Sequence, residues 1–479
     1  MLLKKVLKFF TRFSFWQLKR NCKNIEKVQV KRWKVIRKNI GDSRRLEDCP
    51  LTDFEDYRER IAKGLWSDTC PLTGHKVIAW LKTSGTTATP KVYPMTKVFQ
   101  KELQRLGGPF LYSVLSQREH FLESNLMFIS SPREKVLDNG LPYCPISYIN
   151  YITRPFFIRW RSVVKDEDLR DANTFFNDLP VRALASELDT IMAIMPEVIV
   201  RFFTDIKTQF EKYLARVDEF DVSPKRKVHL EKLRGKDFNI SELWPDLKTI
   251  FCWKTSICQL QLPELEKLLD PNVKIIDAFY TTTEASFTTP IDANRLGGPL
   301  DPSGHVVEFL PTDKEPTKEN LLKPWQLEVG KNYEVVVTTS MGFVRYRLFD
   351  IVECTGFFEK SPWLIFKQKS VGQISLGHTR FSEEHLMKGL NQAQYPLQPG
   401  DFFAPREDGK GLVFYSDTIK NTQIDSLNQY MGKVSPQFLE DIEHNYLFAI
   451  SKEKVPLHLE VKRLPQQKQK LLQHSPPLG

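Results

Sequence analysis

Several things are scarce in this 479-residue chain. No run of eighteen uncharged apolar residues occurs, so nothing in it reads as a membrane-spanning helix. The seven cysteines, at 22, 49, 70, 144, 252, 258 and 354, form no CxxC pair. An odd, dispersed set reads as reduced thiols in a cytoplasmic protein and argues against a structural zinc site. The nine histidines show no metal-ligand spacing either. Acids are missing from one region above all: residues 1–45 hold fifteen Lys and Arg but only Glu26 and Asp42, in a chain whose net charge is +10. The rest is therefore slightly acidic, which excludes a nucleic-acid channel that needs basic residues across the folded body.

What is present is an ordinary folding composition, 41% hydrophobic and 12% aromatic, long enough for a large domain and a smaller one. The N-terminal "MLLKKVLKFFTRFSFWQLKR" has helical periodicity. Lys4, Lys5, Lys8, Arg12 and Lys19 share one third of the helical wheel, and Leu2, Leu3, Val6, Leu7, Phe9, Phe10, Phe13, Trp16 and Leu18 cover most of the rest. Phe15 and Arg20 fit neither face. Three readings stay open: peripheral contact of residues 1–20 with an anionic membrane surface, docking of the apolar face on the protein's own body, or a targeting presequence. Lys8 and Arg12 interrupt the apolar core that a secretory signal needs.

Further along, Val77 to Leu81 reads as a short buried strand before a glycine-bearing loop, and "MTKVFQKELQRL" as a helix after it. Residues 166–235 read as long and helical, including "DTIMAIMPEVIVRFFTDIKTQFEKYLARV". From 241, "LWPDLKTIFCW", "LPELEKLL" and "NVKIIDAFY" alternate as β–α–β. "NYEVVVTTS" and "VRYRLFDIVECTGFF" read as an antiparallel pair joined through Met341-Gly342. After "PWLIFKQKS" a small α+β unit follows. The spacing thus predicts a basic amphipathic helix at 1–22, a large α/β domain of mixed sheets flanked by helices at 23–368, and a small α+β C-terminal domain at 369–479.

Three clusters carry chemistry. Thr83-Ser84-Gly85-Thr86-Thr87, with Lys91, offers hydroxyls and backbone N–H groups to phosphate oxygens and a lysine to neutralise them. Its spacing is not that of a P-loop, and a plain polar turn fits as well. "FYTTTEA" sets Tyr280 after a β run and Glu284 after three threonines, an aromatic face and a magnesium-binding carboxylate. The bland alternative makes Thr282 a helix N-cap and Glu284 the helix start. In "GFVRYRLFDIVECTGF", Arg345 and Arg347 alternate before Asp350, suiting either phosphate and ribose recognition or a structural Arg–Asp pair in a sheet.

In their order these motifs resemble those of the adenylate-forming enzymes, and more closely the auxin-responsive acyl acid amido synthetases of the Gretchen Hagen family. The resemblance runs from about Asn24 to Leu464. It rests on "TSGTTATPKVYP", "LWPDLKTIFCW", "FYTTTE" and "GFVRYRLFDIVECTGFF". It implies a firefly-luciferase-like large domain with a mobile lid, and a ligase that uses ATP and Mg²⁺ to join a small carboxylic acid to an amine, typically of an amino acid. It further implies Ser84, Gly85, Thr86 and Thr87 at the ATP phosphates, Tyr280 against adenine, Thr283 at the α-phosphate, Glu284 at the metal and Asp350 on the ribose. Lys91, Glu284, Arg347 and Lys369 carry the implied catalytic roles, with Lys369 at the family's hinge arginine. The chain departs from the pattern at Phe349, where a glycine is usual, at Lys369 itself, and in having only Lys468 and Lys470 near the family's C-terminal lysine motif. An acyl-CoA ligase, or an inactive relative serving as a binding module, are the competing readings.

Overall fold

The computed structural model describes residues 2–83, 91–118, 121–369, 373–376, 379–396, 398, 401–405, 411–416, 418–440 and 458–462. The chain divides into two compact units, one holding Met1–Thr83 and Val92–Ser370, the other Ser84–Lys91 and Val371–Glu443.

The first unit contains Val77–Lys82 (β1), Val92–Thr96 (β2), Asn125–Ile129 (β3), Lys135–Val136 (β4), Pro142–Pro145 (β5), Leu188–Ala193 (β6), Thr249–Cys252 (β7), Lys274–Asp277 (β8), Gly298–Pro299 (β9), Val306–Pro311 (β10), Asn332–Thr338 (β11), Tyr346–Phe358 (β12) and Ser361–Lys369 (β13). They form three sheets, ordered β2-β1-β5-β4, β3-β6-β7-β8 and β10-β11-β12-β13-β9. The second is wholly parallel and the third wholly antiparallel, so the expected mixture of sheets is met. β7 and β8 are the expected β–α–β strands, with helix Leu262–Lys267 between them.

One expectation fails. The stretch read as a continuous helix around 189–217 begins with β6, and the helix Pro196–Thr208 starts only after it, with its proline in the first turn. β6 lies between β3 and β7 and is buried on both faces. Its apolar residues need not alternate there, so periodicity does not separate it from a helix.

The N-terminal segment forms two helices, Leu2–Lys23 (α1) and Ile25–Ile40 (α2). α1 docks on the body: Leu7 joins the apolar cluster of Leu111, Val114, Leu115 and Ile158, and Leu18 and Cys22 are buried. The misfit Phe15 packs on Tyr112 with ring centroids 4.9 Å apart. α1 lies so close to helix Gly107–Gln117 that a Cβ on Gly108 would come 2.7 Å from Ser14 Cβ. α2 is stitched to the antiparallel sheet by Gln29, which donates to Pro302 and His305 carbonyls and accepts from Val307 N–H.

The second unit has its own core of Leu386, Leu390, Tyr395, Leu412, Phe414 and Leu427. Helices Glu383–Gln392 and Asn421–Glu440 accompany the three-stranded sheet of 402–405, 411–415 and 458–462. Lys468 and Lys470 lie outside the described residues.

Candidate active site

The long strand β12 is interrupted where it matters. The step from Val336 to Glu334 on β11 is matched by the step from Arg347 to Ile351 on β12, so β12 bulges at Leu348–Asp350. Phe349 at the bulge has φ +58°. A bulge of this kind turns a side chain that regular pairing would hold elsewhere. Asp350, 2% exposed, sits opposite Lys369 of β13, whose Nζ lies 2.5 Å from its Oδ1. Lys369 Nζ also donates to Leu348 O at 2.9 Å. The other oxygen, Oδ2, accepts a hydrogen bond from the Tyr280 hydroxyl at 2.8 Å. Each Asp350 oxygen therefore has one partner, Lys369 at Oδ1 and Tyr280 at Oδ2.

Tyr280 is held between aromatic neighbours, stacked on Phe287 at 4.7 Å and on Phe366 at 5.7 Å between centroids. Burial and then the Asp350 charge raise its phenol well above the usual tyrosine range, so it stays a proton donor. After it the chain makes a tight turn, with Thr281 and Ser286 bridged and Thr282 N–H bonded to Ala285 O at 2.8 Å. Thr282 Oγ1 accepts from the N–H groups of Glu284 and Ala285. Thr282 thus caps a hairpin tip, and the alternative that Glu284 opens a helix does not hold. Thr283, at this tip, is buried.

Glu284 Oε1 accepts from the Tyr93 hydroxyl at 2.8 Å, and Tyr93 Oη stands 3.4 Å from that of Tyr346. Burial, and next the Glu284 charge, push the Tyr93 phenol well up. Two tyrosines fixed as donors therefore each orient one carboxylate.

The two arginines do not join this group. Arg345 grips Glu308 with Nε and Nη2, each at 2.9 Å, and donates to Cys49 O. Arg347 makes a fork with Glu334 at 2.8 and 3.0 Å and lies over the Phe349 ring. Neither pairs with Asp350, so the sheet's Arg–Asp pair is replaced by two Arg–Glu pairs. Ser84, Gly85, Thr86 and Thr87 lie outside the described residues, and Lys91 falls with the second unit.

Residues 46–274 match the model of the GH3 family N-terminal domain, and residues 298–369 that of the GH3 family central domain. The chain belongs to the GH3 family. A GH3.10 protein of Oryza sativa subsp. japonica, which bears the name of an indole-3-acetic acid-amido synthetase, is 24% identical over 367 residues, 73% of this chain and 76% of that one. The 4-substituted benzoates-glutamate ligase GH3.12 of Arabidopsis thaliana is 22% identical over 420 residues, 78% of this chain and 70% of its own. Among solved structures, the acyl acid amido synthetase AtGH3.15 in complex with 2,4-DB superposes with a TM-score of 0.66 at 15% identity, covering 97% of this chain and 92% of that one. This likeness is one of fold.

Two features of this GH3 chain concern side chains next to the site. Where the pattern has a glycine, Phe349 holds the left-handed backbone that glycine favours, so the bulge keeps its shape at the cost of local strain. And Tyr93, which sequence reasoning passed over, touches the metal candidate Glu284. Its only signal in the sequence is its place two residues after Lys91, on a strand.

Proposed function

We propose that this chain is an ATP-dependent acyl acid amido synthetase, a ligase that forms an amide through an acyl-adenylate. The observation that carries the reading is the buried Asp350, set on the β12 bulge and oriented by the Tyr280 hydroxyl and the Lys369 ammonium, together with the hairpin tip that presents Glu284 to Tyr93. A carboxylate has about four acceptor sites, so with one contact on each oxygen Asp350 keeps lone pairs for the hydroxyls of a ribose. Support also comes from the GH3 relatives, whose names specify an acid and, for GH3.12, glutamate as the conjugate.

In this reading a substrate carboxylate oxygen attacks the α-phosphorus of ATP, the bond to the β-phosphate oxygen breaks, and pyrophosphate leaves. The amine then attacks the acyl carbon and AMP departs, leaving an amide. Glu284, a hard oxygen ligand, is the residue that would hold Mg²⁺, and the ion would neutralise charge on the phosphates. Tyr93 fixes the direction of the Glu284 carboxylate, and Tyr280 that of Asp350, so neither has to reorganise when substrate arrives. Ser84, Gly85, Thr86, Thr87 and Lys91 are proposed for the phosphates and Thr283 for the α-phosphate. Tyr280 is proposed for the adenine side, through its ring edge and its Asp350 contact. Lys369, adjoining Ser370 where the main stretch of the first unit ends, is proposed as the hinge cation. Arg347 serves in the reading as a strut that fixes the bulge through Glu334. A cytoplasmic location accords with the buried thiols.

The test is thermal unfolding with and without Mg²⁺–ATP, for the intact protein and for Glu284→Ala and Asp350→Ala. Ligand at 100 times its Kd stabilises by about 2.7 kcal/mol. A shift in the intact protein that both substitutions abolish is the expected result. The absence of any shift at saturating ATP sinks the enzyme reading and leaves the fold.

A further inference from the structure

α1 has three faces, and only one is used by the fold. Leu7, Leu18 and Cys22 point inward. A second face carries Phe9, Phe10, Phe13 and Trp16, which are 72%, 68%, 65% and 51% exposed. These rings form a ridge, Phe9 edge-on to Phe10 and Phe13 stacked on Trp16, with Arg20 over the Trp16 ring. Beside it runs a third face with Lys5, Lys8 and Arg12, none of which has a carboxylate partner among the described residues. The ridge continues into a cleft of about 700 Å³ between α1 and α2, lined by Phe13, Trp16, Arg20, Lys27, Lys31 and Arg105. Arg32, 7% exposed, forms the cleft wall; it pairs with Glu102 and keeps Nε without an acceptor. Nearby, the helix Phe156–Arg161 exposes Phe156 and Trp160, and its Arg161 shares Glu123 with Lys4 of α1.

We propose that the α1–α2 corner is a docking face for the surface of a bilayer containing anionic phospholipids. Aromatic rings are the side chains best suited to the headgroup–acyl boundary, with flanking cations drawn to the negative surface. The cleft supplies guanidinium and ammonium donors for headgroup phosphates, next to the apolar rings that chain carbons would meet. Cations dominate around the ridge, since the acids that reach α1, Glu123 and Glu359, are paired with Lys4 and Lys19 while Lys5, Lys8 and Arg12 are left over, and this excess complements a negative plane. The same charge opposes a second copy seated face to face, because like charges would meet across the two-fold axis. No helix among the described residues is long and apolar enough to cross a membrane, so the contact is peripheral.

The experiment is co-sedimentation of the full chain with vesicles of phosphatidylcholine alone and of phosphatidylcholine mixed with phosphatidylserine, at low and high salt. Binding to the mixed vesicles only, weakened by salt, is expected. Lys27→Gln with Lys31→Gln should lower the apparent affinity roughly 25-fold, at about fivefold per cation. Phe9→Ala with Phe13→Ala should lower it by about tenfold per ring or more. All four side chains are exposed, so both variants should melt with the parent, which separates lost docking from lost folding. The proposal is overturned by no sedimentation with mixed vesicles, by equal binding to both kinds, or by affinity that neither variant changes. Dimerisation through the ridge, abolished by the ring variant, or retention on duplex DNA in place of vesicles, overturns it equally.

Discussion

Two regions of the molecule use the same residue types to opposite ends. Around the β12 bulge Arg345 is bound to Glu308, Arg347 to Glu334 and Lys369 to Asp350, and Tyr280 is stacked between Phe287 and Phe366. At the α1–α2 corner Arg20, Lys27, Lys31 and Arg105 meet no carboxylate among the described residues, and Phe9, Phe10 and Phe13 face solvent. Cations that are buried must be paired, and once paired they hold a backbone shape. Cations left over beside exposed rings add little to the fold beyond a contact such as Arg20 over Trp16, and their chemistry is directed outward.

The sharpest way to break this contrast is through its paired member. Arg345→Ala strands Glu308, 2% exposed, with Lys323 as its remaining cation, and should cost about 3–5 kcal/mol of stability in urea unfolding. Arg20→Ala should stay within about 0.5 kcal/mol. Equal losses at both sites would erase the distinction. A finer cut is Tyr93→Phe, which removes one hydroxyl from Glu284. If that hydroxyl positions the carboxylate, pyrophosphate release should fall about tenfold or more, with melting of the free protein little changed; a melting loss without a rate loss would make Tyr93 purely structural. The smallest effect concerns Phe349 and its φ of +58°. Phe349→Gly should recover about 1 kcal/mol of left-handed strain, read as a higher urea midpoint. A lower midpoint would mean that the ring under Arg347 outweighs the strain.

Legibility in the sequence followed the range of the interaction. β1, the β7–β8 crossover and the β11–β12 pair were visible because each is announced by a local apolar run and its punctuation. β6 was hidden because its neighbours, β3 and β7, lie some sixty residues away on either side, and pairing with them overrides the local pattern. Of the candidate site, the sequence marked Tyr280, Glu284, Asp350 and Lys369, which the fold brings into two touching sets, Tyr280–Asp350–Lys369 and Tyr93–Glu284. It gave no hint that Arg345 and Arg347 would be taken by Glu308 and Glu334, since alternation fixes a face and not a partner.

The sequence by itself determined the helix at the N-terminus, its concentration of positive charge and the order of the motifs. These are properties of neighbours along the chain, set by periodicity, composition and spacing. Only the tertiary structure decided which face of α1 is buried and which is bare, that β12 bulges to turn Asp350 toward Tyr280, and that Tyr93 reaches Glu284. Those depend on contacts between residues far apart in the chain, where burial and the need to pair each buried charge choose among partners that local pattern leaves equal.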